Sequence, residues 1–173
     1  DAGLDNLIRR DFYQQFAYHR ARIEPESDAV SAPFSDDLTE CWRQGKTGFP
    51  LIDAAMRSLK SSGWLHPALR SLTAEFLCGI LHQPSKHGIA WFAAQQTDFD
   101  PALNEGNWQT AARNARRRSL DIIQTARRLD PDGTFVRRHI PELAHLPANL
   151  VHTPWLASSE IDAHGYPPPV VAP

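Results

Sequence analysis

The residues whose types and spacing suggest chemistry are concentrated in one stretch, DFDPALNEGNW, from Asp98 to Trp108. Asp100 followed by Pro101 is a helix start. The carboxylate caps orphan amides of the first turn and the proline ring suits the first helical position, a combination worth about 1 kcal/mol. That role leaves Asp98, Asn104, Asn107 and Trp108 unexplained. A helix that only had to begin needs no amide four residues past its cap, nor Gly-Asn-Trp after it.

A second concentration is cationic. Arg113, Arg116, Arg117, Arg118, Arg127, Arg128, Arg137 and Arg138 face only Asp121, Asp130 and Asp132 in the same segment. This excess can contact phosphates, or it can be a solvated face with scattered ion pairs. Weaker constellations carry less. Cys78, His82 and His87 are loosely spaced around Pro84, so no metal site is assigned. His66 reads as a satisfied histidine rather than an acid/base catalyst, and GKTG at Gly45 lacks the spacing of a phosphate-binding loop.

These residues must be positioned by helices, because strand signals are scarce. Leu4, Leu7, Ile8, Phe12 and Phe16 recur at helical spacing, with Arg9, Arg10, Gln14 and Arg20 opposite. Residues 23–34 read as a loop. Ser35 caps a second helix, SDDLTECWRQ, which stops at Gly45. Pro50 opens a third helix ending at Gly63, and Pro67 opens a fourth that is apolar nearly all round and so central. Ser85 opens a fifth. Leu120, Ile123 and Ala126 mark another, closed by DPDG, and prolines from 141 onward imply an irregular wrapping tail. The prediction is one all-α domain over residues 1–173, a multi-helix bundle.

Composition narrows the class. With 173 residues, 42% apolar, the chain can bury one sizeable core, and a net charge of −2 gives no whole-chain case for nucleic acid. Two cysteines suit a reducing cytoplasm, and no apolar run approaches membrane-spanning length. The sequence opens at Asp1 already approaching a helix, which suggests a fragment or a missing upstream region.

The segments GKTGFPLIDAAMRSLKSSGWLHPALRSL, DFDPALNEGNWQTAA, FVRRHIPEL and VHTPW, taken together, closely resemble the flavin-binding helical domain of the photolyase/cryptochrome family. The resemblance runs over nearly the whole chain. It implies an orthogonal helical bundle that holds FAD in a folded form, here without the family's α/β antenna domain. It implies that Arg70 pairs with Asp98 beside the flavin ring, that Asp100 sits near the same ring, and that Arg10 lines the cavity. Asn104 matches the asparagine facing flavin N5, where an amide can accept from or donate to the ring nitrogen. Trp108 matches the tryptophan that donates an electron to the photoexcited ring.

Departures from the family pattern are equally specific. Of the three relay tryptophans only Trp108 remains; Ser85 takes the middle position and the outer one falls near Ala32. Trp42, Trp64 and Trp91 are either packing residues or another route. At lesion-contacting positions stand Asn6, Arg9, Pro67, Ala68, Ser71 and Thr110. Flipping a damaged base costs a few kcal/mol and needs stacking to offset it, so photolyase-type lyase activity by this chain alone is not expected. The family's Ser/Thr-rich stretch for the FAD phosphates is missing, which implies weaker FAD binding or a separate protein supplying the N-terminal half.

Two functions follow. One is a flavoprotein domain for blue-light electron transfer in DNA photorepair or photoreception, with Asn104 and Trp108 at its centre. The alternative is a non-catalytic helical module that lost FAD and binds DNA or a partner protein through Arg113, Arg116, Arg117 and Arg118.

Overall fold

The structure, a computed structural model, describes residues 2–20, 35–117, 120–157 and 165–173. The predicted loop at 23–34 and the predicted contact residue Arg118 lie outside the described residues, as does Ala32. Helices account for the architecture, with no strand among the described residues. In chain order they are α1 (Ala2–Arg20), α2 (Asp36–Gln44), α3 (Pro50–Ser62), α4 (Pro67–Glu75), α5 (Ser85–Gln95), α6 (Pro101–Arg117), α7 (Ile122–Leu129) and α8 (Thr134–His139). None of them is long and apolar enough to cross a membrane.

Capping chemistry sets these boundaries. Ser35 Oγ accepts from the Leu38 amide at 3.3 Å, and α2 ends where Gly45 turns left-handed. Pro50 and Pro67 occupy the first turns of α3 and α4, where an amide would have no partner. One π-helical turn, Phe76–Ile80, extends α4. It ends at Ile80, and His82, two residues on with a φ of 53°, redirects the chain into α5.

The core forms around α3 and α4. Ile52, Ala55, Met56 and Leu59 are fully buried, with Leu72, Phe76 and Leu77 of the next helix against them. Removing such side chains from water contributes about 1.5–3 kcal/mol each. Asp53 lies in this apolar setting on the first turn of α3. Its carboxylate accepts from the Thr47 amide and hydroxyl, the Gly48 amide and the Tyr166 hydroxyl. Burial pushes its pKa up despite the four donors. The network holds the Thr47–Gly48 turn to the C-terminal tail. A Cβ on Gly48 would lie 2.4 Å from the Pro168 carbonyl, so only glycine lets the two backbones cross.

Beyond α8 the chain has two short 3₁₀ turns, Pro141–Leu143 and Pro154–Leu156. It nevertheless contributes Leu143, Leu146 and Val151 to the core, so this tail is a packed element. The predicted core helices are in place, and α1 carries its apolar stripe on its outer side. It seats Tyr13 on α6 and Gln14 on Asp100, the residue before that helix, and directs Leu4, Leu7, Ile8, Phe12 and Phe16 outward.

Candidate functional site

Helix α6 runs between α4 and α5, and the three enclose a cavity of about 240 Å³. Its walls include Arg70 and Ser71 from α4, Phe92 from α5, and Asn104, Asn107 and Trp108 from α6. Asp98 and Asp100, in the connection between α5 and α6, complete the rim.

Each polar residue is held by a specific local cause. Asp100 caps α6, with Oδ1 accepting from the Leu103 amide at 3.0 Å. Its Oδ2 accepts from Gln14 Nε2 of α1 at 3.4 Å, so the cap is also a tie between helices. Arg70 donates through Nε to the Leu65 carbonyl and through Nη2 to Asp98 Oδ2 at 2.7 Å. Both of its anchors precede or follow helices, which fixes the guanidinium at the rim. The Asp98 side chain is 47% exposed, so the pair positions groups more than it stabilises the fold.

Asn104 is 7% exposed, and its Nδ2 donates to the Ile89 carbonyl at 3.0 Å. That carbonyl can only accept, which fixes the amide orientation. No hydrogen bond to Asn104 Oδ1 occurs among the described residues. Trp108, one turn further on, is 2% exposed. Its ring meets Trp42 edge-on at 5.9 Å and Phe92 at 5.2 Å between centroids. Glycine at 88 leaves the indole its space.

Arg70, Asp98, Asp100, Asn104 and Trp108 therefore line one cavity. Arg10 does not: it is exposed on α1 and absent from the lining. The arrangement suits a flat, polar-edged ring. An acceptor oxygen on Asn104 and an oxidisable indole on Trp108 come from successive turns of one helix. It suits a pyrophosphate less well, since the charge of the lining's one arginine is already offset by Asp98, although the remaining N–H groups of that guanidinium can still donate to a neutral ring edge. The isoalloxazine ring of a flavin thus fits these residues, and the phosphates of the same cofactor find no free cation among the described residues of the lining.

The altered positions have structural roles. Thr110 bonds its hydroxyl to that of Tyr13 at 2.9 Å, and Ser85 is buried at the first turn of α5. Trp64 is exposed, Trp91 lies under the Arg43 guanidinium at 5.7 Å, and Trp42 is fully buried. The side chains of Asn6 and Arg9 lie outside the described residues. Pro67 and Ser71, placed by the resemblance at lesion-contacting positions, are in the lining, whereas sequence reasoning did not single out Phe92, Gln96 or Leu103 as cavity residues, which the packing of α4, α5 and α6 reveals.

Residues 3–173 match the family described as the FAD binding domain of DNA photolyase. Relatives include Cryptochrome-1 of Drosophila melanogaster, 38% identical over 89% of this chain and 31% of its own length. Deoxyribodipyrimidine photo-lyase of Escherichia coli is 34% identical over 97% of this chain and 38% of its own. Among solved structures, an archaeal photolyase from Sulfolobus tokodaii with two FAD molecules superposes with a TM-score of 0.89 at 29% identity. That match covers 99% of this chain and 41% of the archaeal one. The chain belongs to the photolyase/cryptochrome FAD-binding domain family, and FAD is the cofactor this membership assigns to it. It spans about a third of the length of the curated relatives it matches.

Proposed function

We propose that this chain serves a blue-light electron-transfer protein by holding the flavin ring and delivering an electron to it. The observation that carries this reading is the placement of Asn104 and Trp108 one helical turn apart on the wall of a single cavity. FAD, when bound, supplies blue-light absorption and one-electron chemistry.

The chain's own residues do the rest. Asn104 uses its Nδ2 on Ile89, so its remaining carbonyl end accepts a hydrogen bond from a protonated ring nitrogen without adding charge. Arg70, steadied by Leu65 and Asp98, holds the ring's polar edge at the rim. Trp108 is the electron donor at the wall. Trp42 stands behind it in edge contact, its Nε1 held by the Thr73 carbonyl at 3.1 Å.

Electron transfer for photoreception, rather than repair of a pyrimidine dimer, is the finer assignment. Phe92 and Trp108 are the aromatic side chains of the lining, and both belong to its packed wall. That leaves no aromatic of the described lining to stack an extruded base. Blue illumination of the FAD-loaded chain tests both parts. With a thiol present to re-reduce the oxidised indole, the flavin absorption band should bleach in the wild type and persist in Trp108→Phe, with a dimer-containing oligonucleotide unchanged. Bleaching independent of Trp108, or repair of the oligonucleotide, contradicts the assignment.

A contact with DNA is the partner this reading adds. Arg113, Arg116 and Arg117 are exposed on α6, and none has an ion pair or hydrogen bond among the described residues. Cations left free in this way are available to phosphates.

A further inference from the structure

A second cavity, of about 300 Å³, lies across α4 from the flavin cavity. Arg70 and Ala74 line the first, Leu72 and Glu75 line the second, and Ser71 belongs to both. Helix α6 closes another side with Asn114, and α7 closes the rest with Thr125 and Arg128. The volume is at the small end for ligand sites, enough for one heterocycle of nucleobase size.

Two opposite charges share this lining without meeting. Glu75 is half-buried, and the hydrogen bond to its carboxylate is a long one, from Asn114 Nδ2 at 3.4 Å. Arg128 has no ion pair or hydrogen bond among the described residues, with Glu75 or with any other group. A carboxylate drawn partly out of water is best satisfied by N–H donors aimed at both its oxygens, and a guanidinium by a pair of acceptors. Much of the remaining wall is aliphatic: Leu72 is buried, and Leu120 and Leu129 stand in the same lining. A ligand that fits is therefore flat and apolar on its faces, with paired donors on one edge and paired acceptors on another.

Those edges identify a base. Guanine carries N1–H beside its 2-amino group, and O6 beside N7. Adenine, cytosine and thymine have no such pair of donors on neighbouring atoms. We propose that the cavity between α4, α6 and α7 is a guanine site, in which Glu75 accepts from N1–H and the 2-amino group and Arg128 donates to O6 and N7. The guanine is that of a free nucleoside or an unpaired base in a single strand, since both present the same edges. The site does not depend on the flavin reading, because it lies on the other side of α4.

Calorimetric titration of this chain with guanosine, adenosine and 7-deazaguanosine tests the assignment. Guanosine should bind about tenfold more tightly than adenosine, or better, the worth of one bidentate pair. 7-Deazaguanosine, which lacks only the N7 acceptor, should fall between them. These comparisons use the wild type, so they hold whether or not a variant folds. Glu75→Gln keeps the shape and loses the charge, and should bring guanosine down to the level of adenosine. In Arg128→Ala, at an exposed position, guanosine and 7-deazaguanosine should bind alike. A short oligothymidylate with one central guanine separates the sources. Tighter binding than guanosine, with guanine still preferred to adenine at that position, assigns the site to single strands; equal or weaker binding assigns it to the nucleoside. Equal affinity for guanosine and adenosine overturns the proposal, as does a Glu75→Gln chain that binds guanosine like the wild type. So does the absence of binding by both guanine ligands at millimolar concentration.

Discussion

Gly88 of α5 faces the Trp108 indole so closely that an added Cβ would lie 2.0 Å from Cη2 and 2.4 Å from Cζ3. The ring is wedged between this glycine, Phe92 and Trp42. Its position at the cavity wall is therefore set by what α5 omits. Gly88→Ala must push the indole toward the cavity or part the helices. Overpacking of this kind costs about 1–3 kcal/mol. Thermal unfolding should show that loss, accompanied by weaker riboflavin binding. An unchanged melting temperature would mean that the indole has room to move.

Asn104 offers a cleaner separation of fold from site. Asn104→Leu keeps the volume and removes one hydrogen bond to the Ile89 carbonyl. The stability loss should stay near 1 kcal/mol. Flavin affinity should fall about threefold to tenfold, the worth of one neutral hydrogen bond. Titration of both variants with riboflavin, beside a denaturant melt, gives the two numbers. Equal affinity for wild type and Asn104→Leu would remove this amide from the site.

The α6 arginines, unpaired among the described residues, give a salt-dependent prediction. Replacing Arg113, Arg116 and Arg117 by serine should make the plot of log affinity for duplex DNA against log salt shallower. The slope should drop by about 0.9 for each phosphate that the variant no longer neutralises. Fluorescence anisotropy across a salt series measures it. A slope unaffected by the triple change would show that the α6 cations meet no phosphate.

Much of this was legible in the sequence because caps are local. Ser35, Gly45, Pro50, Gly63 and Pro67 each carry a boundary within a few residues, and each boundary is where their chemistry puts it. Helix α8 is six residues long, too short to display a helical period between a turn and a proline-rich tail. The π turn at Phe76–Ile80 is tertiary in origin, placed where Gly79 meets Ala115 of α6. The grouping of Arg70, Asp98, Asp100, Asn104 and Trp108 came from family resemblance, since periodicity cannot show that different helices share a cavity. Periodicity located the apolar stripe of α1 but not its direction. Tyr13 and Gln14, neither of them strongly apolar, take the contact with α6, and Arg10 is left exposed.

Acid should loosen the tail before it loosens the core. Arg57 Nη1 bonds both oxygens of Glu142 at 2.9 Å, while its Nε holds the Gly45 carbonyl. Burial raises the Glu142 pKa, but its own backbone amide and Arg57 outweigh that effect and leave it below the usual carboxylate value. A carboxylate depressed in the folded state contributes stability above its unfolded pKa of 4.5 and loses that contribution as pH falls through the folded value. Glu142→Gln should therefore be less stable than wild type at neutral pH and converge with it in acid. Parallel stability curves across that range would refute the assignment.

The central claim is that Trp108 meets a flavin ring, and the fluorescence lifetime of riboflavin bound to this chain measures that directly. Electron donation by a touching indole should shorten the bound lifetime at least tenfold relative to free riboflavin, and Trp108→Phe should restore most of it. A bound lifetime identical in the two proteins would contradict the claim, as would a wild-type chain that takes up no flavin.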